Sequence, residues 1–174
     1  MIWPAADAPD PTAAELPGRC AAATTTAALA VTAPGLAAAG AGSYQVPGFG
    51  AISFGFVVAQ IPHTSSYLGG ISLVSNGEWQ LTGTLSGYVK ISATQGTATG
   101  TGSLYWWNPA LNNHHGGWQL AKSGVAFTAS FGATTKTTPG AFGVQIRYAP
   151  TSPQPTTLPS SSPVNLTSGT IGMA

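Results

Sequence analysis

Residues 79–93 alternate in hydrophobicity with a period of two, and no other stretch restricts the fold as much. Trp79, Leu81, Leu85, Val89, Ile91 and Ala93 share one parity, opposite Thr82, Thr84, Ser86, Tyr88 and Lys90. Successive side chains of a strand point to opposite faces, whereas a helix would scatter these positions around its axis. Residues 79–93 are therefore expected to be one long strand with a core face and a solvent face. Gly83 and Gly87 lie on its apolar parity and mark a bend or the close approach of another backbone. The chain is expected to turn near Gln95 and Gly96 and to return through Thr97, Thr99 and Thr101 to Leu104, Tyr105, Trp106 and Trp107.

The same periodicity recurs on both sides of this stretch. Ile52, Phe54, Phe56 and Val58 alternate before Pro62, which ends their strand because proline offers no donor to a ladder. Ile71 and Leu73 open a short strand that stops at Asn76 and Gly77, a dipeptide suited to a tight turn. Trp118 and Leu120 lead into Val125, Phe127, Ala129 and Phe131, and the parity switch at Ser123 and Gly124 signals a turn or bulge. Phe142, Val144, Ile146 and Tyr148 form another strand. Residues 150–163 hold too much Pro and Ser for a central strand and are expected to run over the surface. Val164, Leu166, Ile171 and Met173 make a last strand, out of phase at Gly169.

The expected fold class is all-β: an antiparallel β-sandwich of about eight strands, Greek-key or jelly-roll-like, with a flattened β-barrel as the alternative. The long connection before the last strand is expected to cross between sheets, as in a Greek key.

Residues 1–43 read differently. Residues 1–18 are rich in Pro and Ala and hold Asp7, Asp10 and Glu15, three of the chain's 4 acidic residues. After Arg19 comes an Ala-dominated apolar run, broken at Pro34 and Gly35 and followed by small residues at A-x-A spacing. This is the order of a secretory signal, with cleavage expected after Ala39 or Ala41. The run is too broken to span a bilayer, which needs about 20 consecutive apolar residues. The division expected is thus 1–43, disordered or signal-like, and 44–174, a single β domain that is secreted or displayed at the cell surface. Cys20, the one cysteine, falls in the first part, so no disulfide can form within the chain.

Several segments together resemble a small domain of secreted actinobacterial proteins, the post-COAP-like domain. They are Gly50-Ala51-Ile52-Ser53-Phe54-Gly55-Phe56-Val57-Val58, then Gly102-Ser103-Leu104-Tyr105, Gly124-Val125-Ala126-Phe127-Thr128-Ala129-Ser130-Phe131 and Phe142-Gly143-Val144-Gln145-Ile146-Arg147-Tyr148, closing with Leu166-Thr167-Ser168-Gly169-Thr170-Ile171. The resemblance spans most of residues 48–172. It implies an exported β domain and supplies no catalytic residue. Where similar domains carry acidic, Gly-rich turns before the Phe-Gly strand, this chain has Thr134-Thr135-Lys136-Thr137-Thr138-Pro139.

The chemistry is bounded by scarcity of charge. The whole chain has 5 Lys+Arg against 4 Asp+Glu, a charged fraction of 5%, where a soluble domain commonly has about 25%. Nothing in a net charge of +1 points to nucleic acid as a partner. Beyond residue 43 the only carboxylate side chain is Glu78. A glycosidase of the usual kind needs two carboxyl groups, and a serine triad needs an acid to orient its histidine. No phosphate-cradling loop is present, and a calcium site would lack carboxylates.

The remaining candidates gather at one hairpin. Tyr105, Trp106, Trp107 and Trp118 bracket a polar loop containing Asn108, Asn112, Asn113, His114 and His115. Flat rings can stack on sugar faces while amides and imidazoles bond the hydroxyls, so the expected ligand-binding set is Tyr105, Trp106, Trp107, Asn113, His114, His115 and Trp118, with a glycan or another extracellular ligand as the partner. Trp106 and Trp107 must face opposite sides of a strand, one toward the core. His114 and His115 would share a metal only in a sharp turn, so neither metal nor cofactor is expected. The reading as a whole is an exported, non-enzymatic domain that binds or self-associates through strand edges. The competing one is a hydrolase or metal-dependent enzyme centred on His114, His115 and Glu78. Thr97, Thr99 and Thr101 form a rank of hydroxyls with short echoes at Thr82 and Thr84, which the β propensity of threonine explains by itself.

Overall fold

The computed structural model describes residues 35–174. They form eight strands: β1 (Leu36–Val46), β2 (Gly50–Gln60), β3 (Tyr67–Ser75), β4 (Trp79–Lys90), β5 (Gln95–Asn108), β6 (Gly117–Gly132), β7 (Ala141–Arg147) and β8 (Val164–Met173). All pairings are antiparallel. Each strand pairs with its neighbour in sequence, and β8 returns to pair with β1, closing one sheet into a ring. The all-β expectation holds. The expected Greek-key crossover does not occur: residues 148–163 join two strands that are themselves neighbours, and they pass over one end of the ring. That is why so long a connection is tolerated without a second sheet. Trp79 Nε1 donates to Thr157 O at 2.9 Å, and Pro159 is fully buried, so this segment closes the core from below.

The ring is flattened, and its two sides pack face to face through aromatic side chains. Phe54 of β2 stacks on Phe142 of β7 at 4.0 Å and 9°, and Phe56 meets Phe131 of β6 at 4.6 Å. Phe127 of β6 lies against Gly83 of β4 and Gly100 of β5, diagonal neighbours across that pair of strands. A Cβ built at either would stand 2.8 or 2.9 Å from its ring, so these glycines make the room that the ring fills. Closure is thinnest between β7 and β8, which pair only at Ala141↔Asn165 and Phe142↔Val164. Side bonds bridge the rest, with Thr134 N donating to Ile171 O, Leu166 N to Gly140 O and Ser161 N to Val144 O.

Three sequence expectations need correction. The boundary placed between residues 43 and 44 falls inside β1. Ala38 and Ala39 are buried, and β1 pairs along its length with both β2 and β8. Small residues suit a signal cleavage region, but they equally suit a strand crowded by its neighbours: a Cβ on Gly40 would come within 2.6 Å of Ile171. The parts of the signal reading on residues 1–34, with Cys20, lie outside the described residues. Second, the single parity of residues 79–93 breaks at Ser86, where a bulge separates the pairs Leu85↔Gly100 and Gly87↔Thr99. Beyond it Tyr88 turns inward to stack on Phe131, and Val89 and Ile91 are each 62% exposed. Third, the turn into β5 comes at residues 91–94, earlier than Gln95. The other irregularities fall where expected. Gly124 (φ +67) lies at a register break of β6 against β5, and Gly169 (φ +95) sits beside the shift in the pairing of β1 with β8.

Candidate functional site

Strands β5 and β6 run past the end of β4 and carry the candidate hairpin beyond the ring. β4 begins at Trp79, opposite Trp106, while the β5–β6 ladder continues through Trp107↔Trp118 to Asn108↔Gly117. β7 pairs with β6 only from Ala126 onward, so among the described residues 117–125 have a strand partner on one side alone.

Alternation along β5 sorts the aromatic residues. Trp106 points inward and is 5% exposed, with Leu104, so it belongs to the core and leaves the expected ligand-binding set. Trp107 and Trp118 point outward from directly opposite positions. Their rings meet edge to face, with centroids 5.5 Å apart at 80°, and each stays a little over a third exposed. Opposite residues on one face of an antiparallel pair stand about 4.5–5.5 Å apart, close enough for such contact. Next to them on the same face are half-buried Tyr105 and its partner Leu120, which is 51% exposed. Leu120 was not among the expected residues; its parity with Trp118 was the available signal. Trp79 is fully buried, as its core parity implies.

The loop at the tip is held by its own polar groups. Asn108 Oδ1 accepts from Ala110 N at 2.9 Å, while Asn108 Nδ2 donates to Gln119 Oε1 at 2.7 Å across the base of the hairpin. Residues 111–114 form a single tight turn in which Asn112, Asn113 and His114 all have positive φ, at 53°, 54° and 69°. Asparagine tolerates this left-handed conformation better than most residues, and a histidine there carries strain. Asn112 Nδ2 closes the turn on Gly116 O at 2.9 Å. Gly116 is buried against the face of the Trp107 indole, so the loop backs that ring and leaves its outer side free.

Asn113, His114 and His115 are exposed at the tip. Glu78, in the β3–β4 turn, is exposed, and its backbone carbonyl accepts from Trp107 N at 2.9 Å. His63 lies in the β2–β3 loop at the opposite end of the ring. Among the described residues no three of His, Cys, Asp and Glu come together in a group able to hold a metal. Two shallow concavities lie away from the tryptophans, one along residues 60–65 and one beside Tyr67, Ser86 and Thr99. Neither gathers groups for acid–base work. No helix of the described residues is long and apolar enough to cross a membrane.

Compared with known proteins, the chain matches no protein family, no curated protein and no solved structure.

Proposed function

We propose that this is an exported, non-catalytic binding domain that takes a carbohydrate at the tip of the β5–β6 hairpin. The observation that carries the reading is the outward Trp107–Trp118 pair. Two indoles meeting at 80° and each more than a third exposed form a corner with apolar walls, with Tyr105 and Leu120 extending one wall. Sugar rings present C–H faces to such walls, and the amide and imidazole groups of the neighbouring loop can bond their hydroxyls. Export is supported by the basic Arg19 followed by the apolar, alanine-rich run up to Pro34, with any cleavage falling before β1 rather than after Ala39 or Ala41, and by the post-COAP-like resemblance.

Self-association through the open edge of β6 is the lesser reading. That edge is short, broken at Gly124 and carries Lys122, and a bulge and a lysine both discourage strand addition. The hydrolase alternative draws no support from the site, since Glu78, His114 and His115 are all exposed and, among the described residues, no hydrogen bond joins the carboxylate to either imidazole as an acid–base pair requires.

A glycan array with the parent protein and with Trp107→Ala and Trp118→Ala tests the proposal. Each variant is expected to bind at least about tenfold more weakly, some 1.4 kcal/mol. Parent-like binding in both variants would remove the site. Turnover of a bound glycan that His115→Ala abolishes would replace it with the enzyme reading.

A further inference from the structure

Resting on that carbohydrate reading, we infer that the ligand is an extended, uncharged polysaccharide lying along the outer face of β5, rather than a compact sugar held at the hairpin tip alone. From one end of β5 to the other the outward positions are Thr97, Thr99, Thr101, Ser103, Tyr105 and Trp107, in unbroken alternation. Alternate residues of a strand lie about 6.6–6.8 Å apart, so the six positions extend over about 33 Å. One end is aromatic and the rest is hydroxyl.

Strand pairing multiplies the rank that the sequence shows once. On β4, Thr84 stands beside Thr101 and Thr82 beside Ser103; on β6, Thr128 stands beside Thr99 and Ser130 beside Thr97. Neighbouring strands are about 4.8 Å apart, so these hydroxyls form a staggered band two strands wide, with β4 beside Thr101 and Ser103 and β6 beside Thr97 and Thr99. Val89, Gly87 and Ala126 stand on the other sides, and the band runs on into the tryptophan corner. Of these hydroxyls only Thr84 Oγ1 makes a hydrogen bond to another described residue, a long one of 3.5 Å to Thr101 O. The others are free to bond a ligand.

The chemistry of the array selects the partner. None of these positions holds Asp, Glu, Lys or Arg. The nearest charges on the face are the exposed Lys122 of β6, opposite Leu104, and Arg147 of β7, opposite Ala126. Charge thus lies at the margin of the array, and the array itself offers a neutral partner hydroxyls alone. A hydroxyl that trades water for a sugar hydroxyl gains little each time, so affinity must accumulate along a chain. An ordered water surface would need the three ranks to lie in a plane. Adjacent strands rotate by about 20–25°, which spoils a plane but lets one chain follow one strand.

The test uses calorimetric titration of the full chain with cello-, xylo- and chito-oligosaccharides of two and six units. The variants are the double Thr99→Val, Thr101→Val, which keeps the β-branched shape, together with Trp107→Ala and Trp118→Ala. The expected result is a hexamer that binds about tenfold or more tighter than its dimer. The double variant should erase that gain and leave dimer binding intact, and either tryptophan variant should weaken both. A dimer and hexamer of equal affinity, both lost without the tryptophans, would overturn the extended track and leave the tip site standing. Heat from none of these oligosaccharides, together with a silent array, would overturn both. Inhibition of ice recrystallisation that the double variant abolishes, with no saccharide bound, would reassign the face to ordered water.

Discussion

Gly116→Ala probes how the loop holds the candidate site, because Gly116 is where that loop meets Trp107. At φ +78 an alanine pays about 1–2 kcal/mol in backbone strain. Its Cβ would also stand 2.5 Å from Trp107 Cζ2, 2.7 Å from Cε2 and 2.8 Å from Nε1. All three atoms belong to one rigid indole, so the ring must move or the loop must lift. Trp107 is 38% exposed and has a way out to solvent, so relief comes by displacing the ring while the core keeps its packing. That displacement forfeits the edge-to-face contact with Trp118, about 0.5–1.5 kcal/mol. The total is about 1.5–3.5 kcal/mol, or a fall in Tm of roughly 5–14 °C for a domain of this size.

Thermal denaturation followed by far-ultraviolet circular dichroism measures the stability, and the near-ultraviolet spectrum reports the coupling of the two indoles. Gly117→Ala is the control. Gly117 lacks positive φ, and the nearest obstacle to its Cβ is the end of the Asn112 side chain at 3.0 Å, so it should cost about 1 kcal/mol or less. In a Trp107→Ala background the Gly116→Ala penalty should shrink to its backbone part. A penalty of equal size in both backgrounds, or none in the parent, would refute the claim that this loop backs the ring.

Two further outcomes follow from the fold. Burial pushes the Tyr44 phenol pKa well above its ordinary value, with Ser161 nearby offsetting part of the rise, and neither hydroxyl has a hydrogen bond of good geometry. The folded pKa exceeds the unfolded one near 10, so this contribution is constant below about pH 10 and is lost as pH rises through the folded value, by up to about 1.4 kcal/mol per unit. Urea unfolding at pH 8 and pH 11 should show Tyr44→Phe equal to or better than the parent at pH 8 and losing less at pH 11; identical losses would refute it. A chain begun at Gly35 should unfold cooperatively by the same assay, and one begun at Tyr44 should not, because it lacks eight residues of β1 that pair with β2 and β8.

What the sequence made legible followed from local rules. Trp79, Leu81 and Leu85 face the core because period two demands it, and Trp106 and Trp107 part company for the same reason. Asn76 and Gly77 turn with positive φ at both residues. The sequence could not display the Ser86 bulge, since one extra residue reverses every later parity without altering composition. Nor could it separate the alanines of β1 from a cleavage region. Ala38 and Ala39 are held between β2 and β8, whose Gly172 and Met173 lie more than 130 positions away, and ring closure by β8 is equally nonlocal. The hydroxyl array was hidden likewise: Thr84, Thr101 and Thr128 are scattered in sequence and become neighbouring ranks only through the registers of β4, β5 and β6.

The interior of the ring also limits where recognition can occur. Small barrels fill their interior with side chains, and here the stacked rings of Phe54, Phe56, Phe131 and Phe142 take that space. A ligand must therefore meet the rims or the outer faces. Along β5 and the ranks beside it the outer face is polar mainly through hydroxyl groups, with Lys122 of β6 at its margin, and this has an energetic consequence. Covering an ion costs several kcal/mol unless the partner supplies its opposite, whereas a covered hydroxyl needs only one new hydrogen bond. A charge-poor, threonine-rich face can thus be covered by a neutral hydroxylated chain at little desolvation cost. The Trp107–Trp118 corner at its end supplies the apolar contact that those exchanges cannot.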